Sequence, residues 1–288
     1  VKEENTMLCW QIGDIKITRI LEQETALPGD FLLPASTPAA VAGIPWLKPH
    51  FIDEAGLFRL SIHALVVETP DTLVVVDTCA GNDKTRTAPV FHRLQTDFLD
   101  HFAAAGYRPE DVDVVLCTHL HVDHVGWNTR LVDGRWVPTF ANARYLLGRQ
   151  EVEHWRSCAA PGDEGLAFAD SVQPLFDAGL VDLVETGHAI CPGVSLVPTP
   201  GHTPGHVSVK LSSQGQEALI TGDMIHHPAQ LARPEWACFI DADPDQGIAT
   251  RRRIFSALAG SGVLVIGTHF AAPTAGFVVG DGDSWILV

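Results

Sequence analysis

Apolar and polar residues alternate over positions 10–24 about the dipeptide Gly13-Asp14, which predicts a β-hairpin. Two β-branched runs, 61–68 and 72–77, are separated by Pro70-Asp71 and predict a second hairpin. Val90, Leu94, Phe98, Leu99 and Phe102 fall at helical spacing before Gly106, so a helix is expected over 89–105. Positions 112–117 are nearly all apolar and read as a short strand buried on both faces, running directly into Thr118-His119. Further strands are expected at 180–185, 194–198, 206–211, 218–221 and 263–267, with a helix at 245–258.

Two stretches fall outside this rhythm. Residues 26–57 are rich in Pro, Gly and Ala yet carry Phe31, Leu32, Trp46 and Phe51, so a long flap folded against the body is expected rather than a tether. Residues 150–178, with Trp155 and then Pro161-Gly162-Asp163, read as two helices broken by a turn, a helical insertion. With no internal repeat or low-complexity tract, the 288 residues are expected to form one domain, 1–288, around one continuous core.

Acidic residues outnumber basic ones 35 to 19, for a formal charge of −16. Such a surface repels phosphate backbones and anionic lipid headgroups, so neither nucleic acid nor membrane is expected as a partner. The longest basic run, Arg251-Arg252-Arg253, lies on a predicted helix and reads as a solvated face. The six cysteines are scattered without a Cys-x-x-Cys pair, so they read as small core residues rather than a zinc knuckle or redox motif. The start Val1-Lys2-Glu3-Glu4 shows no signal-peptide pattern, and the expected location is the cytoplasm. Because the first residue is Val rather than Met, a removed leader with a periplasmic or secreted location stays open.

The chemistry concentrates in Thr118-His119-Leu120-His121-Val122-Asp123-His124-Val125-Gly126. Four metal-competent side chains within six positions cannot all face one way on a regular helix or strand. A tight loop at a strand end would splay them toward a common point, and buried without a cation they would be costly to desolvate. Three more candidates follow β-runs and a glycine or turn: His202 in Thr199-Pro200-Gly201-His202-Thr203-Pro204-Gly205-His206, Asp223 in Gly222-Asp223, and His269 in Gly267-Thr268-His269. Imidazole and carboxylate are the donors zinc takes in catalytic sites that keep a position open for water or substrate. His206 reads as structural, Asp77 as a group able to orient a metal-bound imidazole, and His63, His92, His101, His154 and His188 as hydrogen-bonded core residues. Neither a Gly-x-Ser-x-Gly elbow nor a Gly-x-x-x-x-Gly-Lys loop is present, which removes the starting motif for serine-nucleophile and P-loop chemistry.

His-x-His-x-Asp-His, then Thr-Pro-Gly-His-Thr-Pro-Gly-His, then Gly-Asp, then a late His together resemble the metallo-β-lactamase superfamily over residues 61–269. That resemblance implies an α/β fold, a four-layer αββα sandwich of two mixed β-sheets flanked by helices. It implies two Zn2+ per chain, with iron, manganese and cobalt as compatible metals. His119, His121 and His202 would hold the first, Asp123, His124 and His269 the second, and Asp223 would bridge them. The function implied is a dinuclear-zinc hydrolase that uses a metal-bridging hydroxide, with Asp123 and Asp223 orienting it.

Quorum-signal lactonases of the superfamily carry tyrosine three residues after the bridging Asp, where this chain has His226. Gly-Asp-x-x-His, and the segment Phe239-Ile240-Asp241-Ala242-Asp243-Pro244, look more like the methyl parathion hydrolase branch. His226 therefore joins Asp123 and Asp223 as a candidate catalytic residue. The expected substrate is a small, fairly apolar lactone, aryl ester or phosphotriester, with Phe31, Leu32, Trp46, Phe51 and Trp127 as candidate lining of the mouth. The alternatives are an acyl-homoserine-lactone lactonase, a thioester hydrolase and an iron-dependent oxidoreductase of the sulfur-dioxygenase type. The resemblance also implies a homodimer.

Overall fold

A computed structural model of the chain describes residues 7–157 and 162–288. The first of two seven-stranded sheets follows chain order. β1 (Cys9–Ile12) and β2 (Ile15–Leu27) form a hairpin about Gly13-Asp14, and β3 (Phe58–Glu68) and β4 (Leu73–Val76) form the next one. β5 (Val114–Leu116) pairs parallel with β4. A small ribbon, β6 (Thr129–Val132) with β7 (Arg135–Pro138), intervenes before β8 (Arg144–Gly148) and β9 (Val181–Val184) complete the sheet in parallel. The second sheet contains β10 (Ala189–Cys191), β11 (Val194–Pro198), β12 (Val207–Ser213), β13 (Gln216–Ile220), β14 (Leu264–Ile266), β15 (Ala275–Asp281) and β16 (Ser284–Leu287). Its pairings are antiparallel except β13 with β14.

Period-two alternation decides what each sheet face buries. Leu65 and Val67 of β3 and Val74 and Val76 of β4 point between the sheets, meeting Val207 and Val209 of β12, Ala218 and Ile220 of β13 and Ile266 of β14. The intervening Ile62, Ala64, Val66 and Val75 point outward and are covered by Phe98 and Phe102 of a helix at Phe98–Ala104. On the far side Leu219, Val265 and Val278 are covered by Ile254, Phe255 and Leu258 of a second helix at Pro244–Leu258. That helix begins where Asp243 Oδ1 accepts the Gln246 N–H at 2.9 Å and Pro244 occupies its first position. The result is an αββα sandwich of two mixed sheets, the architecture that the sequence resemblance implied.

Several local expectations are corrected. The flap at 26–57 is folded against the body as expected, but with helical turns at Gly29–Leu32, Pro38–Ala42 and Pro45–Leu47 that the pattern did not show; Leu33, Val41, Ile44, Leu47 and Phe51 are buried beside the outer helix at 244–258. The helix expected over 89–105 starts only at Phe98, preceded by a turn at Pro89–Phe91. Arg93, at φ 48°, lies in the left-handed region that a helix does not admit, and Val90 and Phe91 line a cavity rather than a helix face. β6, β7, β8, β10, β15 and β16 were not expected from the pattern. The 150–178 region is helical at Arg149–Ser157, Asp163–Ala167, Phe168–Val172 (a π-helical turn) and Gln173–Asp177; the turn at Pro161, like Cys158, lies outside the described residues. Cys79, Cys117 and Cys238 are buried, whereas Cys9 is exposed. Of the histidines read as core residues, His63 is buried, while His92 and His188 are exposed. Among the described residues no helix is long and apolar enough to cross a membrane.

Candidate metal centre

Five strands end at one rim of the sandwich, and the turn after each delivers a polar side chain there: Asp77 after β4, the 118–124 loop after β5, His202 after β11, Asp223 after β13 and His269 after β14. Crevices beyond the carboxyl ends of parallel strands collect sites in this way. The 118–124 loop is stitched to the turn after β4. Thr118 donates its N–H to Asp77 Oδ1 at 2.7 Å and its hydroxyl to Oδ2 at 2.9 Å, while Thr78 N–H donates to His124 O at 2.8 Å. Gly126 closes the loop so tightly that a Cβ there would stand 1.9 Å from Ala80 O, so no other residue fits.

His202 sits in a turn held by the segment leading into the outer helix: Asp243 N–H donates to Gly201 O at 2.9 Å and Thr250 Oγ1 to Pro200 O at 2.7 Å. Gly201, at φ +134°, would place a Cβ 2.3 Å from Gly247 N. Asp223 is positioned through its main chain, whose N–H donates to His206 Nε2 at 2.7 Å. The opposite nitrogen of His206 faces Thr199 Oγ1 at 2.8 Å, so His206 braces the site without entering it. His269 is tied across to β3, with Ser61 N–H donating to His269 O at 3.0 Å.

The seven side chains singled out by the motifs converge. His121 Nδ1 lies 3.1 Å from His119 Nε2 and 2.8 Å from His202 Nε2. His269 Nε2 lies 3.3 Å from His124 Nε2 and 3.6 Å from Asp123 Oδ2. Between the two groups Asp223 Oδ2 is 3.6 Å from His202 Nε2, 3.8 Å from His119 Nε2, 3.3 Å from His124 Nε2 and 3.2 Å from His269 Nε2. The ligand atoms of His119, His121 and His202 lie within 4.8 Å of one another, and so do those of Asp123, His124 and His269 and those of His119, His124 and Asp223.

The far nitrogens of four imidazoles are already engaged. His124 Nδ1 donates to Asp77 Oδ2 at 3.0 Å, His202 Nδ1 to Asp241 Oδ1 at 2.9 Å, and His269 Nδ1 to Ser61 O at 3.1 Å, all acceptor-only groups. Thr118 Oγ1, whose proton goes to Asp77, accepts from His119 Nδ1 at 3.1 Å. Each of these rings therefore keeps Nε2 for the centre, while His121 alone presents Nδ1. Facing lone pairs and a buried Asp223 Oδ1 with no hydrogen-bond partner among the described residues fit a cation that is shared between them.

Electrostatics agrees. Burial holds His119 and His202 well below the ordinary imidazole range and brings His121 down to about 4, so these three are neutral donors. Burial also opposes charge on His124, but Asp223, Asp77 and Asp123 outweigh it and hold this imidazole well above its ordinary value. His269 is raised in the same sense by Asp223. In the absence of a cation, protons compensate the carboxylates, and metal binding releases such protons.

A cavity of about 270 Å³ opens above the cluster, with His121, Asp123, Asp223, His226 and His269 at its floor. Its walls are largely apolar: Leu27, Phe31, Leu32, Leu60, Ile62, Val90, Phe91, Phe239 and Ile240, with Glu164 the principal exception. Burial raises the Glu164 carboxyl to about 8. Of the five aromatic and aliphatic side chains expected at the mouth, Phe31 and Leu32 are there; Phe51 is packed in the core, and Trp127 lies against Phe98 with Nε1 donating to Glu22 Oε1 at 2.7 Å. Trp46 packs against that same core rather than the cavity. His226 is buried beside Asp223, Nε2 to Oδ2 3.3 Å, and its ring lies parallel to that of His269 with centroids 6.0 Å apart. Asp241, read only as part of a segment resembling one branch of the family, and Glu164 were given no site role; contacts distant in the chain reveal them.

The profile of the Metallo-beta-lactamase superfamily matches residues 57–269. A probable metallo-hydrolase of Mycobacterium tuberculosis is 32% identical over 189 residues, 60% of this chain and 59% of that protein. An N-acyl homoserine lactonase of Bacillus cereus is 31% identical over 170 residues, 55% of this chain and 61% of its own length. The chain thus spans about three fifths of the length of the curated relatives it matches. Among solved structures, the hydrolase AbOPH, described as in the beta lactamase superfamily, has a TM-score of 0.82 at 27% identity, covering 100% of this chain and 99% of its own. AidC, described as a dizinc quorum-quenching lactonase, has a TM-score of 0.79 at 20% identity, covering 98% and 96%, a likeness of fold.

Proposed function

The chain belongs to the metallo-β-lactamase superfamily, and on that premise we propose that it is a dinuclear zinc hydrolase acting on an ester-type bond of a small, apolar substrate: a lactone, an aryl ester or a phosphotriester. The observation that carries this reading is an apolar cavity whose floor is the cluster of imidazoles and carboxylates.

His119, His121 and His202 would hold one metal, Asp123, His124 and His269 the other, with Asp223 between them. Bound there, the pair would supply Lewis acidity toward a carbonyl or phosphoryl oxygen and would activate water as a nucleophile near neutral pH. Asp123, whose side chain is 18% exposed against 3% for Asp223, faces the cavity and accepts a hydrogen bond from the attacking water, which orients its lone pair. His226, buried at the floor with Nε2 3.3 Å from Asp223 Oδ2, donates from that nitrogen toward the departing oxygen. Phe31, Phe239 and Ile240 hold the apolar part of the substrate and exclude water around it.

Among these bonds the similarity to N-acyl homoserine lactonases at 28–31% identity favours a lactone. The test is a panel of one lactone, one aryl ester and one phosphotriester, each assayed with zinc-reconstituted and with chelator-stripped protein. Turnover of at least one, lost on stripping and regained on adding zinc, is expected. Stoichiometric zinc uptake with no turnover of any of them sinks the proposal.

A further inference from the structure

Asp241 lies outside the seven clustered side chains, yet its carboxylate is completely shielded from solvent. Oδ1 accepts from His202 Nδ1 at 2.9 Å, and Oδ2 accepts the Cys238 N–H at 3.0 Å and faces Arg251 Nη1 at 3.7 Å. Arg251 is also fully buried, with Nε donating to Pro234 O at 3.0 Å and Nη1 to Met224 O at 3.3 Å. A buried ion pair of this kind contributes little net stability, because removing both charges from water offsets their attraction. Its one contact toward the cluster is the imidazole of His202.

That contact is specific in what it fixes. A carboxylate only accepts, so it pins the proton of His202 on Nδ1 and leaves the Nε2 lone pair aimed at His121 and His119. The same turn also grips the main chain, since Ala242 N–H donates to His202 O at 3.0 Å and Asp243 N–H to Gly201 O at 2.9 Å. The other clustered imidazoles differ: His119 leans on a hydroxyl, His269 on a backbone carbonyl, and only His124 on another buried carboxylate, Asp77. Each half of the cluster thus has one imidazole backed by a buried anion, His202 in one and His124 in the other.

We infer that Asp241, its charge balanced by Arg251, is a positioning residue that fixes the tautomer and ring orientation of His202 and thereby sets metal affinity in the half formed by His119, His121 and His202. This rests on the reading of those three histidines as metal donors. Partners of this kind change metal affinity by roughly 10–100-fold.

The test uses full-length wild-type and Asp241→Asn protein, titrated with zinc against a chromophoric chelator, with the melting temperature of the metal-free forms as a check on folding. The expected result is two tight equivalents in the wild type, one of them weakened roughly 10–100-fold in Asp241→Asn, with the metal-free variant still melting cooperatively but below wild type, because Arg251 loses its buried counter-charge. Added to a His121→Ala background, where that half is already impaired, Asp241→Asn leaves the remaining equivalent unchanged. Should the variant fail to fold, long-range nitrogen–proton spectra of the zinc-loaded wild type supply the same test, with the proton of His202 expected on Nδ1. Unchanged affinity for both equivalents in the folded variant, or a proton on Nε2, overturns the inference while leaving the hydrolase reading intact. A wild type that takes up no zinc at all overturns both.

Discussion

Nδ1 of His124 donates to Oδ2 of Asp77 at 3.0 Å, across 47 positions of sequence, and so joins the turn after β4 to the loop after β5. The same carboxylate takes the N–H and hydroxyl of Thr118, so one buried side chain both shapes the loop and orients an imidazole within it. Asp77→Asn should therefore weaken the equivalent associated with Asp123, His124 and His269 by roughly 10–100-fold. Zinc titration checks this, and equal weakening of both equivalents would show instead that the whole loop had collapsed.

His121 contributes the nitrogen that faces both His119 and His202. His121→Ala should lower kcat/KM by more than about 100-fold, beyond the effect of losing a mere partner of a ligand. The metal-free fold should change by no more than about 2 kcal/mol, since the packing lost outside the cluster is an edge-on contact with the Trp155 ring. Turnover at the wild-type rate would contradict the site assignment.

Phe31 and Phe239 are 66% and 57% exposed, with ring centroids 5.8 Å apart at the cavity mouth. Exposed rings add little to folding but remain available to a substrate's apolar part. Phe239→Ser should raise KM for an apolar ester by about tenfold, near 1.4 kcal/mol, with kcat little altered. A fall in kcat at constant KM would place this ring in the chemical step instead.

Lys84 is fully buried: Nζ donates to Thr129 Oγ1 at 2.6 Å, faces Asp170 Oδ1 at 3.6 Å and lies 3.6 Å from the Trp136 ring centroid. Burial pushes the ammonium down to about 7 against the pull of Asp170, with Arg86 nearby adding to the decrease. Between that value and the ordinary lysine pKa, the unfolded chain binds a proton at this position that the folded chain does not. Stability therefore rises with pH over that window, by roughly 1.4 kcal/mol per pH unit. Unfolding of wild type and Lys84→Met from pH 7 to 10 should show this extra slope in the wild type alone; parallel curves would contradict it.

The strands that build the site were legible because their signals are local: alternation at residues 10–24 and 61–77, an apolar run before Thr118, and a glycine or tight turn before each polar residue at a strand end. The gathering of His119, His121, Asp123, His124, His202, Asp223 and His269 follows from strand ends sharing one rim. Less legible were features set by distant contacts. Val90 had the spacing of a helix face but serves a cavity wall, which periodicity cannot distinguish from a core. Trp127 and Phe51 have the composition of a binding mouth but the environment of a core, because Glu22 and the outer helix claim them. Asp241 sits in a segment read only for its family resemblance, and its role appears only when His202, 39 positions earlier, is placed against it.

Anomalous diffraction at the zinc absorption edge, on crystals of zinc-loaded protein, tests the central claim most directly. Two peaks are predicted, one among His119, His121 and His202 and one among Asp123, His124 and His269, with Asp223 reaching both. Peaks elsewhere on the protein, with none among these side chains, would contradict it.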